Sequence, residues 1–155
     1  MIQRIQTVYL LFAGLLIFAL YLFPLAHDVF INGVASTIKV TGVYQNVNGQ
    51  QVQTQPFAAL SIITAVIGLV PVVIVFLFRN RKQQIALCYS AILVVIGYSF
   101  WVAQTVKNAT GGVTLATSNM GIGLFLTCIS IFLLIAAAKA IQKDEKLVRS
   151  ADRLR

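Results

Sequence analysis

Residues 57–78 read FAALSIITAVIGLVPVVIVFLF, a run of 22 residues with no Asp, Glu, Lys, Arg or His. A bilayer's hydrocarbon core, about 30 Å thick, is crossed by about 20 apolar helical residues rising about 1.5 Å each. Lipid offers no water to satisfy a non-helical backbone, so the run predicts a membrane-spanning helix. Three more uncharged runs, residues 8–26, 85–106 and 119–138, predict three more spans. Composition agrees: 59% of the chain is hydrophobic and 10% is charged, against about 25% charged in soluble domains. Residue 4 is Arg, but the run after it is too long for a signal-peptide core, so the first span is expected to remain as an anchor.

Charge orients these spans. Arg4, Arg79, Arg81, Lys82, Lys139, Lys143, Lys146, Arg149, Arg153 and Arg155 fall on one side, and only Lys39 and Lys107 on the other. Cytoplasmic segments carry the Lys and Arg excess, so both termini are expected in the cytoplasm. The net charge of +8 reflects this bias, and nucleic acid is not expected as a partner. No Asp, Glu, Lys, Arg or His lies within the four runs, which argues against proton-coupled transport.

Pro71 sits mid-run, where it removes a backbone donor and crowds the carbonyl of Ile67; it is the candidate helix kink. Ser61, Ala65 and Gly68 form a small-residue face on this span, as do Gly123, Thr127 and Ser130 on the fourth and Ala86 and Ser90 on the third. Such faces let helices pack closely in lipid. Cys88 and Cys128 stand singly in apolar runs, without metal-ligand spacing, and read as small hydrophobes. His27 and Asp28 are adjacent but lack a nucleophile or further ligands, so they read as interfacial polar residues. Catalytic, cofactor-binding and metal sites are each expected to be none, and an enzyme is not expected.

The outer loop, residues 27–56, is longer than a passive connection needs. Alternation from Thr37 to Val47 followed by Asn48-Gly49 predicts a β-hairpin turning at those two residues, with Val47 opposite Gln50 and Gln45 opposite Val52. The expectation is a small hairpin cap.

The chain ends KDEKLVRSADRLR, residues 143–155, good helix formers without Gly or Pro. Glu145 and Arg149 pair at i,i+4, while Leu147, Ala151 and Leu154, with Val148 beside them, form an apolar stripe. With Arg149, these are the candidate contact residues. The stripe could lie on anionic lipid, dock on the bundle, or enter a groove of another protein.

The opening MIQRIQTVYLL, the middle RNRKQQIALC and the ending AIQKDEKLVRSADRLR together resemble an uncharacterised family of four-helix membrane proteins of Bacteroidota, the domain of unknown function DUF4293. The resemblance implies the inner membrane of a Gram-negative bacterium and no activity that could be carried over. The expected fold is an all-α membrane protein: a four-transmembrane-helix bundle over residues 1–142, N-in/C-in, with a small extracytoplasmic β-hairpin cap and a cytoplasmic helical tail at residues 143–155. The expected role is a non-enzymatic accessory or scaffold subunit. The expected partners are the lipid bilayer and, beyond it, other membrane-complex subunits or a homo-oligomer. The alternative is a small channel or carrier for a neutral or lipid-like solute.

Overall fold

The structure is a computed structural model describing residues 3–31, 33–47, 50–77, 80–111 and 119–153. In chain order it contains α1 (Gln3–Ala19), β1 (Ala26–Ile31), β2 (Val34–Lys39), β3 (Gly42–Val47), β4 (Gln50–Pro56), α2 (Ala58–Phe76), α3 (Arg81–Ala109) and α4 (Ile122–Arg153).

Three helices among the described residues are long and apolar enough to cross a membrane, not four: Ala58–Phe76, Arg81–Ala109 and Ile122–Val148. Their outward faces carry Val66, Val73, Leu93, Phe100, Phe125 and Phe132, all exposed, as expected of a surface solvated by lipid. The chain is a membrane protein.

The first apolar run divides. Helix α1 ends at Ala19 after 17 residues, about 26 Å at 1.5 Å per residue. Tight turns follow, with Leu20, Tyr21 and Leu22 donating to carbonyls three residues back. Pro24 has no N–H to continue a helix, and β1 starts at Ala26. Leu20, Leu25 and Ala26 are fully buried. Hydropathy counts a residue covered by protein as it counts one covered by lipid, so the expected span ran through the turn into the sheet.

The segment between α1 and α2 is not a small hairpin cap but a four-stranded antiparallel sheet in the order β1-β2-β3-β4. Its last hairpin pairs Val47 with Gln50 and Gln45 with Val52; Asn48 and Gly49 lie outside the described residues. A second two-residue connection pairs Ile31 with Val34, and Gly33 there has φ +81°, the left-handed region that glycine enters without strain.

The base of the sheet is sewn to the bundle. Leu25 N–H donates to the Ile38 carbonyl at 2.8 Å, Phe57 N–H to that of Thr41 at 3.0 Å, and Gly121 N–H to that of Leu25 at 2.9 Å. Ser61 Oγ adds a bond to the Val40 carbonyl at 3.1 Å. One sheet face brings Val29, Ile38 and Val43 into the same core as Leu10, Ile17, Leu60 and Leu134.

Helix α1 packs between α2 and α4, and α4 also packs on α3, whereas the consecutive helices α2 and α3 touch less. Two expected small-residue faces lie at these interfaces. A side chain on Gly14 would meet the Gly68 carbonyl at 3.0 Å, and one on Gly123 the Pro24 carbonyl at 2.8 Å. Ser130 Oγ reaches across to the Ala13 carbonyl at 3.1 Å. Ala86 and Ser90 are exposed instead, and the Ser90 hydroxyl bonds back to its own helix.

Candidate interaction surfaces

Helix α4 is continuous through residue 153, so the boundary expected after residue 142 falls inside an unbroken helix. Its inner face is nearly dry for several turns: Leu134, Ala137, Ala138 and Ile141 are almost fully buried. The same face ends at Asp144, a carboxylate only 8% exposed. Gln6 of α1, itself buried, donates to Asp144 Oδ2 and also to the Ala140 carbonyl at 3.2 Å. Arg81 Nη1, from the first turn of α3, approaches the Asp144 backbone carbonyl at 3.5 Å. Three helices are therefore joined at one residue. Helix α1 has no acidic residue of its own in its first turn, and Asp144 brings a negative charge to that positive helix end from another element.

Sequence reasoning placed Asp144 in a charged helical tail without giving it a partner, and missed Gln6. The available signal was the period of α4 itself: Leu134, Ala137, Ile141 and Asp144 recur at i, i+3, i+7 and i+10, on one stripe. The pair also explains how a carboxylate can be buried, since a buried charge needs hydrogen-bonding partners.

One turn beyond Asp144 the stripe continues uncovered. Leu147 is 51% and Val148 46% exposed. Ala151 and Arg149 lie on the α4 backbone, with side chains outside the description, and Leu154 lies outside the described residues altogether. Nearby, Gln142 Nε2 donates to Tyr89 Oη at 2.8 Å and Gln84 Nε2 to the Ile74 carbonyl at 3.2 Å, tying α4 to α3 and α3 to the end of α2.

At the opposite end, every residue of β4, sequence QQVQTQP, is exposed. It is hydrogen-bonded along its β3 side, and among the described residues nothing pairs with its other edge. The edge of β1 is partly closed by a bridge from Ala26 to Met120. His27 and Asp28 sit in β1 with Nδ1 and Oδ2 3.3 Å apart, and the Asp28 backbone carbonyl accepts from Asn119 Nδ2 at 2.9 Å. This arrangement anchors the α3–α4 connection to the sheet.

Between the two ends lies a buried polar chain. Thr64 Oγ1 bonds the Leu60 carbonyl at 2.7 Å and Tyr98 Oη at 2.6 Å, while Tyr21 Oη donates to the Ser61 carbonyl. An apolar groove of about 300 Å³ opens between α2 and α3, lined by Val66, Leu69, Val70, Val73, Ile74 and Leu87. Pro71 faces away from it: the helix runs through this residue, which is buried on the side of Gly14 in α1. Cys88 is buried and Cys128 exposed, both as free thiols. Among the described residues no three side chains of metal-ligating type come together.

No curated protein matches the chain. A family model, that of the domain of unknown function DUF4293, matches residues 2–154. With nearly its whole length matched, the chain belongs to the DUF4293 family.

Proposed function

We propose that the protein is a non-enzymatic accessory or scaffold subunit of a complex in the bacterial inner membrane, with its basic end in the cytoplasm. The observation that carries this reading is the bare continuation of α4 past Asp144, where Leu147 and Val148 extend a stripe that is elsewhere packed against protein. The exposed β4 edge supplies a second surface at the other end, of the kind that accepts an added strand. The orientation rests on the Lys and Arg of the α2–α3 connection and the tail.

Gentle detergent extraction of native membranes tests this proposal. The protein should migrate in an assembly larger than itself, and a chain ending after Lys146, which keeps Asp144, should lose part of that assembly. Migration only as a free monomer would remove the reading.

The groove between α2 and α3 favours a second reading, a carrier for a lipid-like solute. Filling it with Val73→Trp should then abolish flux in proteoliposomes. Absence of flux for the unsubstituted protein across neutral and lipid-like solutes removes this reading.

A further inference from the structure

The apolar groove between α2 and α3 runs along α2 from Val66 to Ile74, about 12 Å at 1.5 Å per residue. That is most of one leaflet's share of a hydrocarbon core about 30 Å thick. It lies in the half of α2 nearer the start of α3, where Arg81 and Lys82 stand. Ile74 is buried at its base, while Val66, Leu69, Val73 and Leu87 are exposed around it. Toward the basic end Gln84 ties α3 to the Ile74 carbonyl at 3.2 Å, so the groove opens sideways, to the bilayer. Every side chain lining it is apolar, and a held water needs about two to four polar partners. What a bilayer supplies to such a space is an acyl chain.

The same side of α3 offers contacts for a headgroup. Asn80, Gln83 and Leu87 recur at i, i+3 and i+7 and so share one stripe, with Gln83 about 6 Å along the axis beyond Leu87. Asn80 makes no side-chain cap bond to the helix; its Nδ2 donates instead to Gln83 Oε1 at 3.1 Å. Both amides are exposed, and the Gln83 Nε2 hydrogens remain available to an outside acceptor. Arg81 and Lys82 belong to the same turn, which holds no acid, and the nearby Asp144 carboxylate is engaged by Gln6. Basic sites between spans at a membrane's charged face attract anionic lipid headgroups.

We propose that this groove binds a single anionic phospholipid, one acyl chain lying along Val66–Ile74 against Leu87 and the phosphate at the Asn80–Gln83 amides, in the field of Arg81 and Lys82. The lipid is held as a brace between two consecutive helices that touch each other little. The proposal does not rest on the accessory-subunit reading, and it shares its groove with the carrier reading without requiring transport.

The test reconstitutes the full chain with equal amounts of phosphatidylglycerol and phosphatidylcholine of the same chain length. The protein is then moved into mild detergent and weighed by native mass spectrometry. A single phosphatidylglycerol should remain on each chain, at least about tenfold more often than phosphatidylcholine. Val73→Trp, which fills the groove, should lose it. Leu93→Trp adds the same bulk at an exposed position outside the groove and should keep it. Asn80→Ala with Gln83→Ala should bring phosphatidylglycerol down to the phosphatidylcholine level. Added phosphatidylglycerol should raise the melting temperature of the unsubstituted chain and of Leu93→Trp, but not that of Val73→Trp.

No retained lipid, equal retention of the two lipids, or retention by Val73→Trp overturns the proposal. So does a photocrosslink in native membranes, from benzoylphenylalanine in place of Leu69, that captures protein rather than lipid; it would assign the groove to a partner helix or a second copy. Retention without flux upholds the proposal and removes the carrier reading, whereas flux without retention does the reverse. Neither result changes the size of the native assembly, which tests the accessory-subunit reading separately.

Discussion

Gly121→Ala should unseat the sheet from the bundle. A Cβ at Gly121 would lie 2.1 Å from the Pro24 carbonyl oxygen and 2.8 Å from the Leu25 carbonyl carbon, well inside contact distance, and both neighbours are backbone. The turn at residues 24 and 25 would have to retreat. That turn accepts the N–H groups of Gly121 and Gly123 at 2.9 and 3.0 Å. Overpacking costs about 1–3 kcal/mol, and two weakened hydrogen bonds add about 0.5–1.5 kcal/mol each, giving a destabilisation of about 2–6 kcal/mol. For a chain of this size that corresponds to a fall of about 5–20 °C in melting temperature. Two internal standards make the result interpretable. Gly123→Ala meets the same backbone oxygen at 2.8 Å, still too close for a Cβ but a milder overlap, so it should destabilise in the same direction by less than Gly121→Ala. Gly97→Ala meets nothing within 4 Å and should be neutral or slightly stabilising. Thermal unfolding of the purified protein in mild detergent, followed by circular dichroism, measures all three. A Gly121→Ala melting temperature within about one degree of wild type would refute the close approach of α4 to the turn.

Thr64→Val leaves the buried Tyr98 hydroxyl without its partner and should cost about 1–3 kcal/mol. Tyr98→Phe should cost less, because Thr64 keeps its bond to Leu60; the same melting assay ranks them. Gln6→Leu strips the side-chain donor from Asp144 and should destabilise by about 1–3 kcal/mol, and much of that loss should return in the double variant with Asp144→Leu. Leu93→Arg and Phe30→Arg replace residues of similar exposure, 71% and 68%. The first should lower membrane-fraction yield because Arg at a span's centre costs about 2.5–3.5 kcal/mol, while the second, on the sheet, should leave yield unchanged.

The later spans were legible because long uncharged runs leave few alternatives to a helix in lipid. The failure at residues 20–26 has the opposite cause: Leu20, Leu25 and Ala26 are apolar because protein covers them, and their sequence looks the same as a lipid-facing one. Pro24 was the available warning. In the outer segment the alternation around Tyr44 and the Asn48-Gly49 dipeptide pointed to the β3–β4 register. The same dipeptide stands at Asn32-Gly33, between Ile31 and Val34, and it marks the hairpin that the expected cap lacked. The tail stripe could be read from spacing alone, but its continuity with the α1 interface could not. That depends on Gln6 meeting a residue 138 positions away, and a single sequence carries no signal for such a pairing.

The same separation has a temporal side. Helix α1 emerges from the ribosome well before α4, yet Gln6, Ala13 and the turn at Pro24 all find partners in α4. At about 5–20 residues per second, Gln6 precedes Asp144 by about 7–30 s. During that interval α1 and the sheet can pack only on elements already synthesised, chiefly α2. Helix α4 therefore acts as a lock, closing the core only after α1, the sheet and α2 have been made.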